Sequence, residues 1–94
     1  MMPYQLIYTN SFKKDLRLAK KRNYDMKKME DVLTLLKSGK KLPRKYKDHQ
    51  LKGNLSKFRE LHIQPDWLLI YTKNDTELIL TLSRTGSHAE LLKK

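Results

Sequence analysis

The order of apolar and polar positions predicts two helices between a first strand and three later ones. Tyr4 to Thr9 is rich in aromatic and β-branched residues and reads as a strand. Asn10 and Ser11 then offer capping oxygens for a helix over 11–22, in which Phe12, Leu16 and Ala19 fall on one face. Asp25 can cap a second helix over 26–37, with Met26, Met29, Val32, Leu33 and Leu36 as its stripe and Gly39 as its stop. Both stripes are read as core, two antiparallel helices packed on a sheet.

Residues 38–55 break this order, since Pro43, Gly53 and Asn54 exclude one continuous element. A connection of this length in a small domain is usually functional or disordered. From Ser56 to Ile63 the period becomes two: Leu61 and Ile63 point one way, Phe58, Glu60 and His62 the other. Gln64, Pro65 and Asp66 form a turn, and Trp67 to Lys73 is a strand apolar on both faces, hence central. Asn74-Asp75 reads as a tight hairpin turn, Thr76 to Ser83 as the returning strand, and Gly86-Ser87 as the lead into one helical turn at most. The predicted fold is α+β in the order β-α-α-β-β-β, with two N-terminal helices on a small antiparallel sheet. One domain, 1–94, is expected, without internal repeats.

Composition narrows the class. A chain of 94 residues is near the lower end of sizes that fold without covalent staples. It has no cysteine, which excludes disulfides and thiolate metal sites and fits a reducing cytoplasm. The N-terminal residues lack the basic and long apolar regions of a signal peptide. No apolar run reaches the roughly 18 residues that a membrane span needs. A cytoplasmic protein without a membrane partner is expected.

Charge changes the picture more. Lys and Arg number 21 against 10 acids, a net +11, beyond the magnitude of about 2–8 that keeps a small domain soluble. Residues 1–55 hold 15 basic and 5 acidic side chains, residues 56–94 only 6 and 5. A surface so polarised is the footprint of a polyanion binder, and nucleic acid is the expected partner. Tyr46 in the basic loop and Trp67 are candidates for stacking on a base, against a core-anchoring role for each, which is the leading reading for Trp67.

Three histidines, one aspartate and one arginine then suggest a chemistry. Cleavage of RNA by its own 2′-hydroxyl needs a base, an acid and positive charge on the phosphorane oxygens. Imidazoles suit the first two tasks because their ordinary pKa of about 6.5 lies near working pH. An arginine fork suits the third. His49, His62, Asp66, Arg84 and His88 supply that kit without a metal or cofactor. Antiparallel order places His62, Asp66 and Arg84 at one edge of the meander, and His49 joins them only if the basic loop folds over that edge. The histidines lack zinc-site spacing, and Ser83 and Ser87 lie in no nucleophile elbow.

These residues carry a resemblance. His49, the segment Leu61-His62-Ile63 with Asp66-Trp67, and the run Ser83-Arg84-Thr85-Gly86-Ser87-His88 resemble the YafQ branch of the RelE-type bacterial toxins over essentially the whole chain. Leu92 stands where that family often has an aromatic residue. The resemblance implies a RelE-like fold and the toxin of a type II toxin–antitoxin pair. It further implies a ribosome-dependent endoribonuclease that cuts messenger RNA in the decoding site. It implies a cognate antitoxin, with which the toxin can form a hetero-oligomer. His49, His62, Asp66, Arg84 and His88 fall on the family's catalytic positions, with Trp67, Lys52 and Tyr46 expected near the substrate. On this reading Lys13, Lys14, Arg17, Lys20, Lys21, Lys40, Lys41, Arg44, Lys45 and Lys47 hold ribosomal RNA. His88 is expected to be the general acid and Arg84 the phosphate clamp, with His49, His62 and Asp66 sharing proton abstraction and orientation. The alternatives are a ParE-like poison of DNA gyrase and an RNA-binding module that is inert alone.

Overall fold

The computed structural model describes residues 3–92. Met1 and Met2, where the signal-peptide reading begins, and Lys93 and Lys94, the end of the expected 1–94 domain, lie outside the described residues. Strands β1 (Gln5–Tyr8), β2 (His49–Gln50), β3 (Arg59–Gln64), β4 (Trp67–Asn74) and β5 (Ile79–Gly86) form one sheet in the order β1-β5-β4-β3-β2. Helices α1 (Asn10–Lys21) and α2 (Met26–Ser38) connect β1 to the basic loop, and α3 (His88–Leu92) follows β5. The α+β class and the order of the main elements are as expected. No described helix is long and apolar enough to cross a membrane.

The helical stripes are core. Phe12, Ala19, Met29, Val32 and Leu36 are buried with Leu61, Ile63, Leu69, Tyr71, Leu80 and Leu82 from one face of the sheet. Each large apolar side chain buried this way contributes about 1.5–3 kcal/mol. Thr9, rather than Asn10 or Ser11, caps α1. Its Oγ1 accepts the Phe12 N–H at 3.0 Å and donates to the Ser83 carbonyl at 2.9 Å, tying the helix start to β5. Asp25 caps α2 through the Lys27 N–H. Gly39 ends that helix at φ 73°, and a Cβ there would lie 3.0 Å from Pro3 and 3.1 Å from Tyr4. Both the backbone angle and the packing call for glycine.

The meander β3–β4–β5 is antiparallel as expected, whereas β1 joins the sheet parallel to β5, from Gln5↔Ile79 to Tyr8↔Leu82. Strand boundaries also differ. Phe58 still belongs to a turn, its N–H bonded to the Leu55 carbonyl, so β3 starts at Arg59 and not at Ser56. The hairpin after β4 spans residues 75–78 and is not the two-residue turn expected. Asn74 Oδ1 accepts the Glu77 N–H, Leu78 sits at φ 57°, and β5 runs three residues later than its pattern suggested.

The basic loop is the largest addition. It contains short turns at Arg44–Tyr46 and Gly53–Leu55 and, between them, the two-residue β2, which pairs His49 with Glu60 on β3. Asp48 fastens it. Its carboxylate accepts from Arg59 Nη2 at 2.9 Å and from the Tyr71 hydroxyl at 2.5 Å. Burial, and then that carboxylate, push the Tyr71 phenol up, so it remains a donor. Asp48→Ala strands both partners and is expected to cost about 2–3 kcal/mol, lowering Tm by roughly 10–20 °C in a thermal melt. Asp48→Asn, which can still accept from one of them, should melt between the two.

Candidate active site

With β4 lying between β3 and β5, His49 on β2, His62 on β3 and His88 just past the end of β5 bring three imidazoles into a row. His62 stands in the middle, its ring centroid 6.4 Å from that of His49 and 5.6 Å from that of His88. His49 arrives because β2 pairs it across from Glu60, the folding over of the loop that its participation required. Lys47, at φ 49°, turns the chain into β2, and its carbonyl accepts a hydrogen bond from His49 Nδ1 at 2.7 Å. That carbonyl can only accept, so Nδ1 carries the proton and Nε2 faces inward.

His88 is the first residue of α3 and is held by Asp66. One carboxylate oxygen accepts both the His88 backbone N–H at 3.0 Å and its ring Nδ1–H at 2.6 Å. The ring is thereby oriented with Nε2 free to give or take a proton. Asp66 was expected beside the other two histidines, but the turn before β4 places it under His88 instead. The backbone bond first, and the ring bond second, hold its carboxyl below the usual aspartate range. A carboxyl more acidic in the folded chain stabilises it fully above about pH 4 and loses that effect as pH falls through the lowered value. The His88 amide resonance, followed from about pH 5 to about pH 2, should therefore shift only below the range of an ordinary aspartate. A midpoint at or above that range would show the contact absent in solution.

Glu60 is the residue that the sequence passed over. Its Oε1 lies 3.6 Å from His49 Nε2 and 3.8 Å from His62 Nε2, and its side chain is only 9% exposed. The available signal was parity: Glu60 shares the face of His62 two positions away, an acid inside an apolar strand.

Arg84 stands apart from this row. It lies opposite Ile70 on β4, and Ile70 is in turn opposite Glu60, so a whole strand separates the arginine from the carboxylate. A register shift in β4–β5 next to it accompanies a turn of the side chain toward α1. There Nε and Nη2 donate to Asp15 at 2.6 and 3.3 Å, and the Thr85 N–H donates to the same carboxylate. The Nη1 side of the fork makes no hydrogen bond among the described residues.

Two expected stacking residues are not available for stacking. Trp67 is 1% exposed, its Nε1 donates to Thr85 Oγ1, and its ring meets Tyr24 edge-on at 4.9 Å. Tyr46 is buried against the core with Lys45 over its ring. Both are pillars of the fold, because burying an aromatic ring outweighs leaving it to water. Lys52 is exposed at the start of the Gly53–Leu55 turn. Lys13, Lys14, Arg17, Lys20 and Lys21 of α1 are likewise exposed, as are Lys40, Lys41, Arg44, Lys45 and Lys47 of the loop. None of these cations is in an ion pair among the described residues.

This fold, with an imidazole row beside a basic loop, is that of the RelE-like bacterial toxins. Over 95% of its length the chain superposes on a chain of the crystallised Escherichia coli DinJ–YafQ toxin–antitoxin complex, with a TM-score of 0.87, 41% identity and 97% of that chain covered. A metal-bound toxin from Helicobacter pylori gives a TM-score of 0.87 at 42% identity over 94% of this chain and 98% of its own. The mRNA interferase toxin YafQ of E. coli K12 is 41% identical over 92 residues, 97% of this chain and 98% of that protein. The family described as the bacterial toxin of type II toxin–antitoxin system, YafQ, matches residues 4–93, and the chain belongs to it. As for a metal, no group of three His, Cys, Asp or Glu side chains among the described residues has the arrangement of a ligand set.

Proposed function

We propose that this toxin is an endoribonuclease that cuts messenger RNA on the ribosome by attack of a 2′-hydroxyl on the adjacent phosphate. The observation that carries the reading is the convergence of His49, His62 and His88 with Glu60 and Asp66 at one edge of the sheet. The relatives' name, mRNA interferase, supports the substrate. In the reaction the 2′-oxygen bonds to phosphorus and the bond to the 5′-oxygen breaks, leaving a cyclic phosphate and a 5′-hydroxyl. Glu60, with His62 and His49 around it, takes the 2′ proton. His88, aligned by Asp66, gives a proton from Nε2 to the leaving oxygen. Arg84, braced on Asp15, offers the open side of its fork to the phosphate. Every step is assigned to a side chain of this protein, and none to a metal.

The cations of α1 and of the first part of the loop give the toxin its hold on ribosomal RNA, a contact that weakens with salt. An antitoxin is the expected protein partner, as in the DinJ–YafQ complex. Translating ribosomes carrying a defined message, read by primer extension, test the proposal. Cuts are expected that require the ribosome and are undiminished when the toxin has been stripped with a chelator and desalted before it meets the ribosomes. An intact message from a protein that still arrests growth and breaks DNA would replace the reading with gyrase poisoning. Loss of cutting by the stripped toxin, restored by adding back a transition metal, would remove its metal-free part alone.

A further inference from the structure

A cleft of about 490 Å³ opens beside His62, between the start of α2, the Arg44–Tyr46 turn and the outer edge of β3. Its origin is in the sheet. β2 pairs with β3 only through Arg59 and Glu60, so the backbone from Leu61 to Gln64 has no strand on its outer side. The Arg44–Tyr46 turn lies near β3 without pairing with it, and open space remains beside the unpaired edge. Its volume lies in the range of about 300–1,000 Å³ typical of small-ligand sites. His62 is both a wall of the cleft and the centre of the imidazole row. Whatever fills the space therefore touches the reacting groups.

The lining says what that is. Lys28, Lys45 and Lys47 bring three positive charges against the single carboxylate of Asp31, and Ile63 and Pro65 add an apolar strip. None of the three lysines is in an ion pair among the described residues. Asp31 and Gln64 are exposed, and each can bond the polar edge of a planar ring: the carboxylate accepts, the amide both donates and accepts. Cations, a flat apolar strip and hydrogen-bonding tips suit a phosphate with a base attached. An apolar ligand would match only the Ile63 and Pro65 strip and none of the charge of the lining.

We propose that this cleft holds one nucleotide of the substrate strand next to the scissile phosphate, and that it reads the base. Lys28, Lys45 and Lys47 contact its phosphates, while Asp31 and Gln64 meet the base edge. The inference rests on the ribonuclease reading and narrows it. It moves Lys45 and Lys47 from ribosomal RNA to message, and it adds Lys28, Asp31 and Gln64 to the substrate-contacting set.

Single-turnover cleavage with toxin in saturating excess over programmed ribosomes separates the two duties, with ribosome affinity measured in parallel by pelleting. Lys28→Glu sits on an exposed helical turn and leaves the core untouched. It should slow cleavage at saturation about tenfold while ribosome affinity stays within about twofold. Gln64→Ala should change the relative cutting of messages that differ in one base beside the cleavage point. Equal losses of affinity and rate in Lys28→Glu would make the residue a ribosome contact and overturn the proposal. So would an unchanged rate together with an unchanged base preference in Gln64→Ala. A wild-type protein that cuts no message fails before either variant is compared, which marks failure of the underlying reading and not of the cleft.

Discussion

His88→Ala is expected to lower single-turnover cleavage of a ribosome-bound message by about 10²–10⁴-fold, the usual contribution of a positioned general acid or base. The fold should survive. His88 is half exposed at the start of a five-residue helix, and its bonds run to an exposed carboxylate. Ribosome affinity should also survive, because the cations proposed to hold ribosomal RNA lie elsewhere on α1 and the loop. His88→Gln is the sharper companion, since an amide can still bond Asp66 but cannot deliver a proton. A glutamine variant that cuts at a rate near wild type would end the assignment of His88 as proton donor. Equal losses of cleavage and ribosome binding would end it too.

Glu60→Gln is expected to lower the same rate by about 10²-fold, at the lower end of the range for acid–base groups. The substitution keeps the volume of a nearly buried side chain and removes only its charge. A fall in rate without a fall in Tm would therefore report chemistry and not packing. Because Oε1 stands between His49 Nε2 and His62 Nε2, the three groups should act as one unit. His49→Ala combined with Glu60→Gln should then lose little more than the worse single variant. Additive losses would mean that Glu60 and His49 act separately. A rate within about threefold of wild type in Glu60→Gln would leave proton abstraction to the imidazoles alone.

The sequence made half of the site legible, and the reasons are specific. Period two in β3 put His62 opposite the core-facing Leu61 and Ile63, and turn chemistry put Asp66 at the strand's end. Antiparallel order put His62 and Asp66 at one edge of the meander together with Arg84, but it did not announce the bond between Asp66 and His88. His49 did not follow, because a strand of two residues has no period to detect. Its place depends on Asp48 finding Arg59 and Tyr71, contacts separated in sequence by 11 and 23 residues. Arg84 was expected beside the histidines on the assumption of an even register. The shift beside it, and the single acid of α1 at Asp15, turn it elsewhere, and no local pattern announces either. Trp67 and Tyr46 were open to two readings, and only knowing which face they occupy decides for burial.

The parallel pairing of β1 with β5 has a consequence for how the protein is made. The first strand finds its partner only among residues 79–82, and that partner stands in the interior of the sheet, between β1 and β4. A nascent chain can form its helices early, but it cannot close its sheet until the penultimate element has been translated. Arg84 and His88 emerge with that same stretch. The strand that completes the fold and the groups assigned as proton donor and phosphate clamp thus arrive together. A ribosome making this toxin is expected to carry a harmless, open chain until residues 79–88 have been made.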